Sequence, residues 1–349
     1  MQSPWDYPDF DDHEVVHFVT DRNTGLKAII ALHSTALGPA AGGCRFWHYD
    51  EPADAMRDVL RLSRGMSYKN AMAGLPLGGG KAVILADKQR TKTPELIAAF
   101  GKAVDRLGGS YITAEDVGMS VADLVEVSKH TRHVAGLPAA EGAVGGDPGP
   151  HTAYGVFLGV KAAVRHALGK DSLDGLHIAI QGAGSVASGL ARLAAKEGAR
   201  LSIADIDEGR VRSLADEVNG TVVSPDQILT LEADVLSPCA LGAILTEESI
   251  GALRVPVVAG AANNQLATPQ DGDRIAARGI LYAPDYVINA GGIINVSSEH
   301  LGDADEVGVK ARIEQIPGRL ESIWQESKAT GRNPAEVADA MAQRLIGRG

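Results

Sequence analysis

Val15–Thr20 and Leu26–His33 carry the β-branched, alternating pattern of strands, and the Asp-Arg-Asn-Thr-Gly between them predicts a hairpin. The period then changes. Glu51–Met66 predicts a helix, with Pro52 in its first turn and Ala55, Val59, Leu62 and Met66 along one side. Pro94–Leu107 repeats the pattern through Leu96, Phe100, Ala103, Val104 and Leu107. Ser110–Ala114 predicts a short strand ending at Glu115-Asp116, and Ser120 the N-cap of a helix reaching His130. From Gly136 to Pro150 the chain turns to loop composition, which marks a domain boundary. Beyond it a helix over Thr152–Leu168 leads into regular strand–helix alternation. His177–Gln181, Leu201–Ala204, Asp234–Leu236, Val255–Gly260 and Ile280–Tyr282 predict the strands of a parallel sheet. From Ile313 the pattern is helical, broken at Asn333-Pro334. The fold class is therefore α/β with two domains, residues 1–148 and 149–330.

At 349 residues the chain suits two domains of about 100–200 residues each. A net charge of −11 argues against nucleic acid or an anionic membrane as partner. Two cysteines, Cys44 and Cys239, make no disulfide framework and point to a reducing compartment. The N-terminus shows no signal-peptide pattern, and no apolar run approaches a membrane span, so a cytoplasmic location is expected. No metal is expected: His13 and His17 fall on a β-patterned run, and neither His-Glu-x-x-His nor paired-cysteine spacing occurs.

Candidate chemistry gathers in Met66–Lys81, which sets Lys69 and Lys81 on either side of a glycine-rich segment. Gly78, Gly79 and Gly80 are expected to turn tightly and leave room for a small molecule beside Lys81, with a buried strand following. Gly38–Arg45 is expected to be a second glycine-rich loop. A phosphate-binding loop fits poorly, because Gly74 lies one residue too far from Gly80 and Ala82 replaces the magnesium-binding hydroxyl. A plain turn with two solvated lysines remains open on this stretch alone.

A second motif narrows the choice. Gly182-Ala-Gly184-Ser185-Val186-Ala187 follows the strand His-Ile-Ala-Ile-Gln and precedes an Ala/Leu-rich helix, the setting of a dinucleotide fingerprint. The next strand ends at Asp205, about 20 residues on, where an acid accepts the ribose hydroxyls and favours NAD over NADP. Arg210, just beyond, leaves NADP use open. The second domain then binds NAD and the first presents the substrate. Two neighbouring lysines shielded by the cofactor would lower each other's proton affinity, and Asp116 at a strand end could pass protons to solvent.

These residues resemble the amino-acid dehydrogenases acting on leucine, phenylalanine, valine and glutamate, the leucine-acting branch above all. The motifs are Gly-Pro-Ala-Ala-Gly-Gly (38–43), Gly-Met-Ser-Tyr-Lys-Asn (65–70), Leu-Gly-Gly-Gly-Lys (77–81) and Tyr-Ile-Thr-Ala-Glu-Asp-Val-Gly (111–118). Downstream stand Thr-Ala-Tyr-Gly-Val (152–156), Ser-Pro-Cys-Ala-Leu-Gly (237–242), Ala-Gly-Ala-Ala-Asn-Asn (259–264) and Tyr-Ala-Pro-Asp-Tyr-Val-Ile-Asn-Ala-Gly-Gly (282–292). The resemblance implies reversible oxidative deamination of an L-amino acid to a 2-oxo acid and ammonium with NAD. It implies an active site in the cleft between the domains, C-terminal helices (331–349) returning to the first domain, and a homo-oligomer. Lys69 would bind the substrate carboxylate, Lys81 would activate water, and Asp116 would relay protons and contact the amino group. Gly43 and Met66 would border the substrate, with Asn263 and Asn289 between it and the nicotinamide. Thr152 would hold the carboxamide, and Cys239 and Ala240 would run beside the cofactor.

Departures fall where the side-chain pocket is expected, a region taken to include Ala41, Ala114, Ala135, Ile293 and Val296. Ala41 stands where the leucine enzymes usually have Leu, and Ala135 where they have Thr; both remove volume. Ala114 matches them, and Ile293 is slightly larger than their usual Val. A phenylalanine- or tryptophan-preferring enzyme is the alternative within the class. A catalytically inactive NAD-binding regulator is the alternative outside it.

Overall fold

The two period-two runs pair as an antiparallel hairpin of β1 (Val15–Asp21) and β2 (Leu26–Ser34), with Val15 opposite Leu32 and Asp21 opposite Leu26. Asp21 fixes the turn by accepting the Asn23 and Thr24 amides. The computed structural model describes residues 3–138 and 146–349, so the loop reading over 139–145 lies outside the described residues.

β3 (Ala40–Trp47), β4 (Gly78–Leu85) and β5 (Tyr111–Glu115) complete a sheet of order β1-β2-β4-β3-β5. β4 runs antiparallel to β2, while β4, β3 and β5 are mutually parallel through β3. Both glycine-rich segments expected to be loops are therefore strand: Gly42 and Gly43 lie inside β3, and Gly78, Gly79 and Gly80 begin β4. The physical reason is close approach, not turning. A Cβ on Gly79 would sit 2.0 Å from the Ser67 backbone nitrogen, and one on Gly80 2.8 Å from the Tyr111 ring.

Ser67 belongs to α1 (Pro52–Met72), which runs past its expected end at Met66 because Tyr68, Ala71 and Met72 are still buried. Its Ala55, Met56, Val59 and Leu60 pack on Ile29, Ala31 and Val83 of the sheet. The opposite face, with Ala82 and Ile84, is covered by α2 (Pro94–Asp105) and α3 (Val121–Ser128) through Phe100, Val104, Leu124 and Val127. Each large apolar side chain buried this way contributes about 1.5–3 kcal/mol. Alternation along β4 thus turns Gly79, Lys81 and Val83 toward α1 and Gly80, Ala82 and Ile84 toward α2 and α3.

The chain divides into two compact units: residues 1–146 with 296–305 and 342–349, and residues 147–295 with 306–341. In the second, α4 (Gly149–Leu168) leads to β6 (His177–Gln181), α5 (Ser185–Lys196), β7 (Arg200–Ala204), α6 (Glu208–Val218) and β8 (Thr221–Val222). The alternation continues through β9 (Val235–Pro238), α7 (Glu247–Ala252), β10 (Val257–Val258), α8 (Gln270–Ala277) and β11 (Leu281–Tyr282). The sheet order β11-β10-β9-β6-β7-β8, parallel throughout, is that of a doubly wound dinucleotide fold. Helices α9 (Asp285–Ile288), α10 (Gly291–Leu301), α11 (Glu306–Ile313), α12 (Ile316–Thr330) and α13 (Pro334–Leu345) follow. Asn333 separates the last two and caps α13 by accepting the Glu336 amide at 3.0 Å. No described helix is long and apolar enough to cross a membrane.

Candidate active site

In the first unit the site grows from three parallel strands. Ala41 pairs with Gly79 and with Ile112, and Gly43 pairs with Ala114. The constant offset between β3 and β4 sets Lys81 level with Gly43, one row along the sheet. A Cβ on Gly43 would lie 2.9 Å from Cβ of Asp116, so only glycine lets the segment after β5 fold over this row. Lys81, 6% exposed, reaches Oδ2 of Asp116 at 2.5 Å. Its ionic partner is thus Asp116, the acid at the strand end. Burial alone would raise the Asp116 carboxyl, but Lys81 and Arg45, with the Val117 amide, outweigh it and hold the group at about 2.

Lys69 lies in the last turn of α1, two residues after Ser67, whose nitrogen faces Gly79. The helix turn bearing Lys69 therefore lies directly against the strand bearing Lys81. Met66, on the same helix, packs over Gly42, where a Cβ would meet its Cγ at 2.9 Å. Ala135 donates its amide to Thr113 beside Ala114, and Gly136 faces Val296, whose Cγ1 would lie 3.9 Å from an added Cβ. Ala41, Gly43, Ala114, Ala135 and Val296 are therefore neighbours in this unit.

Sequence reasoning overlooked Arg45, Asp58 and Asn70. Asn70 is fully buried and donates to the Gly78 carbonyl at 2.6 Å, locking the end of α1 to the start of β4. A buried Asn two residues before a helix end was the available signal. Arg45 and Asp58 carried none, being ordinary surface types in the pattern. Arg45 and Asp58 also border a cavity of about 660 Å³ that includes Trp47, Tyr49, Arg57 and Arg61.

In the second unit the fingerprint stands at the carboxyl ends of the strands. Gly182 takes φ +109°, and an added Cβ would lie 3.1 Å from the carbonyl of Cys239 and 3.2 Å from Cβ of Ala240. Gly184 N-caps α5 without a side-chain bond, and a Cβ there would meet nothing within 4 Å. Free helix amides facing open space beside a glycine fit a pyrophosphate. Ser185 and Val186 form the first turn. Ser185 Oγ would lie 2.3 Å from a Cβ on Gly149. Asp205 follows β7 and accepts the Ala183 amide at 2.6 Å and the Asp207 amide at 2.8 Å. Its carboxylate thus braces the glycine turn, and its remaining lone pairs stay available to further donors. Arg210 pairs with Asp207 at 3.4 Å.

Asn289, 3% exposed, donates to Oδ1 of Asn263 at 2.8 Å and to the Ala261 carbonyl at 3.0 Å. Its own Oδ1 is buried without a partner. Thr152 Oγ1 donates to the Pro148 carbonyl at 2.8 Å and approaches Gly292, where a Cβ would lie 2.5 Å away. Ile293 lies one turn before Val296 on α10. Burial pushes the Cys239 thiol upward.

This sheet order, with an open glycine turn at its carboxyl edge, defines a protein of the dinucleotide-binding class. Residues 13–133 match the Glu/Leu/Phe/Val dehydrogenase dimerisation domain, and residues 201–344 match the Glutamate/Leucine/Phenylalanine/Valine dehydrogenase family. The chain is 47% identical over 335 residues to a leucine dehydrogenase of Geobacillus stearothermophilus, covering 96% of this chain and 91% of that one. It is 45% identical to a valine dehydrogenase of Streptomyces virginiae, covering 96% and 94% of the two chains. The crystal structure of L-tryptophan dehydrogenase from Nostoc punctiforme superposes with a TM-score of 0.86 at 41% identity, covering 96% of each chain. The chain belongs to the Glu/Leu/Phe/Val amino-acid dehydrogenase family.

Proposed function

We propose that the enzyme carries out reversible, NAD-dependent oxidative deamination of a branched-chain L-amino acid. Amino acid, NAD⁺ and water give the 2-oxo acid, ammonium, NADH and a proton. The observation that carries this reading is the ion pair of buried Lys81 with half-buried Asp116, held on a row of strands that only glycines allow to pack so closely. Bound NAD supplies the hydride acceptor. Lys69 takes the substrate carboxylate, while Gly43 and Met66 border the substrate. Asp116 accepts a proton from the amino group and relays it; Lys81 removes a proton from the attacking water and returns one to the departing nitrogen. Asn289, already fixed by Asn263, keeps an unpartnered Oδ1 that would accept from the substrate or the nicotinamide. Gly182, Gly184, Ser185 and Val186 hold the pyrophosphate, Asp205 the ribose, and Thr152 the carboxamide, with Cys239 and Ala240 alongside.

Ala41, Ala114, Ala135, Ile293 and Val296 shape the side-chain pocket. A second reading, preference for phenylalanine or tryptophan, is favoured by the two alanines at 41 and 135 and by the tryptophan-acting relative. The dimerisation-domain match supports a homo-oligomer, and two free cysteines support a cytoplasmic location. A substrate panel read by NADH formation tests the proposal: leucine, valine and isoleucine should lead phenylalanine, tryptophan and glutamate. Leading aromatics would establish the second reading. Lys81→Ala should lose turnover by orders of magnitude while NAD binding persists; an active variant refutes the assigned role.

A further inference from the structure

Asp116 is held by more than Lys81. The oxygen that takes Lys81 Nζ also accepts Nε of Arg45 at 2.9 Å. Arg45 leaves β3 two residues after Gly43, and its Nη1 donates to Oδ2 of Asp58 on α1 at 2.9 Å. Asp58 is fixed in turn by the Tyr49 hydroxyl at 2.7 Å and by Nη2 of Arg61 at 3.2 Å. One guanidinium thus ties β3, α1 and the segment after β5, at two charge-assisted hydrogen bonds whose directions its planar fork sets. Unlike Lys81, arginine does not give up its proton, so its charge is constant through turnover.

We infer that Arg45, clamped by Asp58, is the positioning residue of the proton relay: it fixes the Asp116 carboxylate and keeps it ionised while Lys81 is neutral. The inference rests on the reading of Lys81 and Asp116 as the proton-exchanging pair. When Lys81 delivers its proton, the attraction that kept Asp116 charged goes with it, and Arg45 remains. Without Arg45 the proton that Asp116 takes from the amino group would stay on the carboxylate instead of being relayed onward. The other groups around this pair include Cys44 and Tyr49 from β3 and its end, Tyr111 from β5, Asp58 and Lys69 from α1, and the Lys92–Asp123 pair beside Cys44. Burial pushes the Cys44 thiol and both phenols upward, so none of the three changes charge near neutrality.

The test is the pH dependence of kcat in the full enzyme for Arg45→Gln, Arg45→Lys and Asp58→Asn. Removing a fixed positive charge makes Asp116 hold a proton more tightly, so the ascending limb should move to higher pH by about one unit or more in Arg45→Gln. Turnover at neutral pH should fall about tenfold or more, with KM for NAD unchanged. Arg45→Lys should restore most of the limb, and Asp58→Asn should move it part of the way. A role in packing alone would lower kcat without moving the limb, and a limb superposing on the parent's in Arg45→Gln overturns the inference. Should Arg45→Gln fail to fold, a parent-like limb in Asp58→Asn does the same. Asp116→Asn separates the two levels. If it keeps full turnover, the reading of the pair fails and the inference with it; if it is inactive while the limbs stay put, the inference alone fails.

Discussion

Gly79→Ala adds one methyl group to the floor of the site, and its effect can be worked from the structure. The new Cβ would lie 2.0 Å from the Ser67 nitrogen, 2.2 Å from its Oγ and 2.4 Å from its Cα. Carbon–nitrogen contact needs about 3.4–4 Å, so α1 must retreat by well over an ångström at this point. No side-chain rotation relieves the clash, because two of the three atoms are backbone. Overpacking of this kind costs about 1–3 kcal/mol, and more where backbone has to move. The unfolding temperature of this unit should fall by about 2–4 °C per kcal/mol for a domain of this size. The same retreat carries Lys69, two residues on, away from the row of Lys81. KM for the amino acid should therefore rise at least about tenfold, since an ångström of misplacement costs up to about a hundredfold in rate. KM for NAD should not change. Differential scanning calorimetry and steady-state kinetics read both effects. A Gly79→Ala enzyme with parental Tm and parental amino-acid KM would refute the argument that glycine is there for close approach.

Asp205→Ser removes the brace from the Ala183 amide as well as the acid that repels a 2′-phosphate, so the ratio of NADP to NAD turnover should rise while KM for NAD worsens; an unchanged ratio means the acid does not meet the ribose. His33 is buried between Ser67 Oγ at 2.7 Å and Arg348 Nη1 at 2.8 Å, and burial, Arg348 and His13 hold it below the usual histidine range. The unfolded chain then binds the extra proton first, so stability should fall as pH drops below about 6.5, at up to about 1.4 kcal/mol per pH unit. His33→Gln should flatten that slope in thermal unfolding between pH 7 and 5, and hydrogen exchange should show residues 342–349 releasing first. A slope identical to the parent's would remove His33 from the account.

Elements whose pattern has a single period were legible in the sequence. The hairpin, α2, α3 and five of the six strands of the dinucleotide sheet, all but the two-residue edge strand β8, fall within a few residues of expectation, because alternation and a helical stripe need no knowledge of partners. Ser120 was read as a cap, and it accepts the Asp123 amide. The glycine strands were not legible. Glycine's local signature is a turn, and only the presence of α1 on one side of β4 and Tyr111 on the other makes an extended glycine run favourable. The end of α1 was missed for a related reason: Lys69 and Asn70 interrupt its apolar stripe, yet Asn70 is buried by bonds to the strands it faces. Arg45 and Asp58 were invisible because a salt bridge between residues on different elements leaves no spacing to read.

The same geometry separates what the family fold can vary from what it must keep. Lys81, Gly43 and Ala114 share one row, and strand pairing and charged pairs position Lys81 and Asp116 there. Ala41 and Ala135 contribute to that row only a main chain and a methyl group: Ala41 pairs with Gly79 and Ile112, and Ala135 bonds Thr113 through its amide. Their backbone bonds, not their side chains, hold the register at these positions. A methylene gained or lost in the pocket changes discrimination by about 1–3 kcal/mol, enough to reorder leucine against a bulkier amino acid. It does nothing to the distance from Lys81 to Asp116. On the proposed function, substrate preference and chemistry are carried by different kinds of contact around the same three strands. Refilling Ala41 or Ala135 should accordingly change which amino acid leads the panel while the pH profile of kcat stays where Arg45 and Asp116 set it.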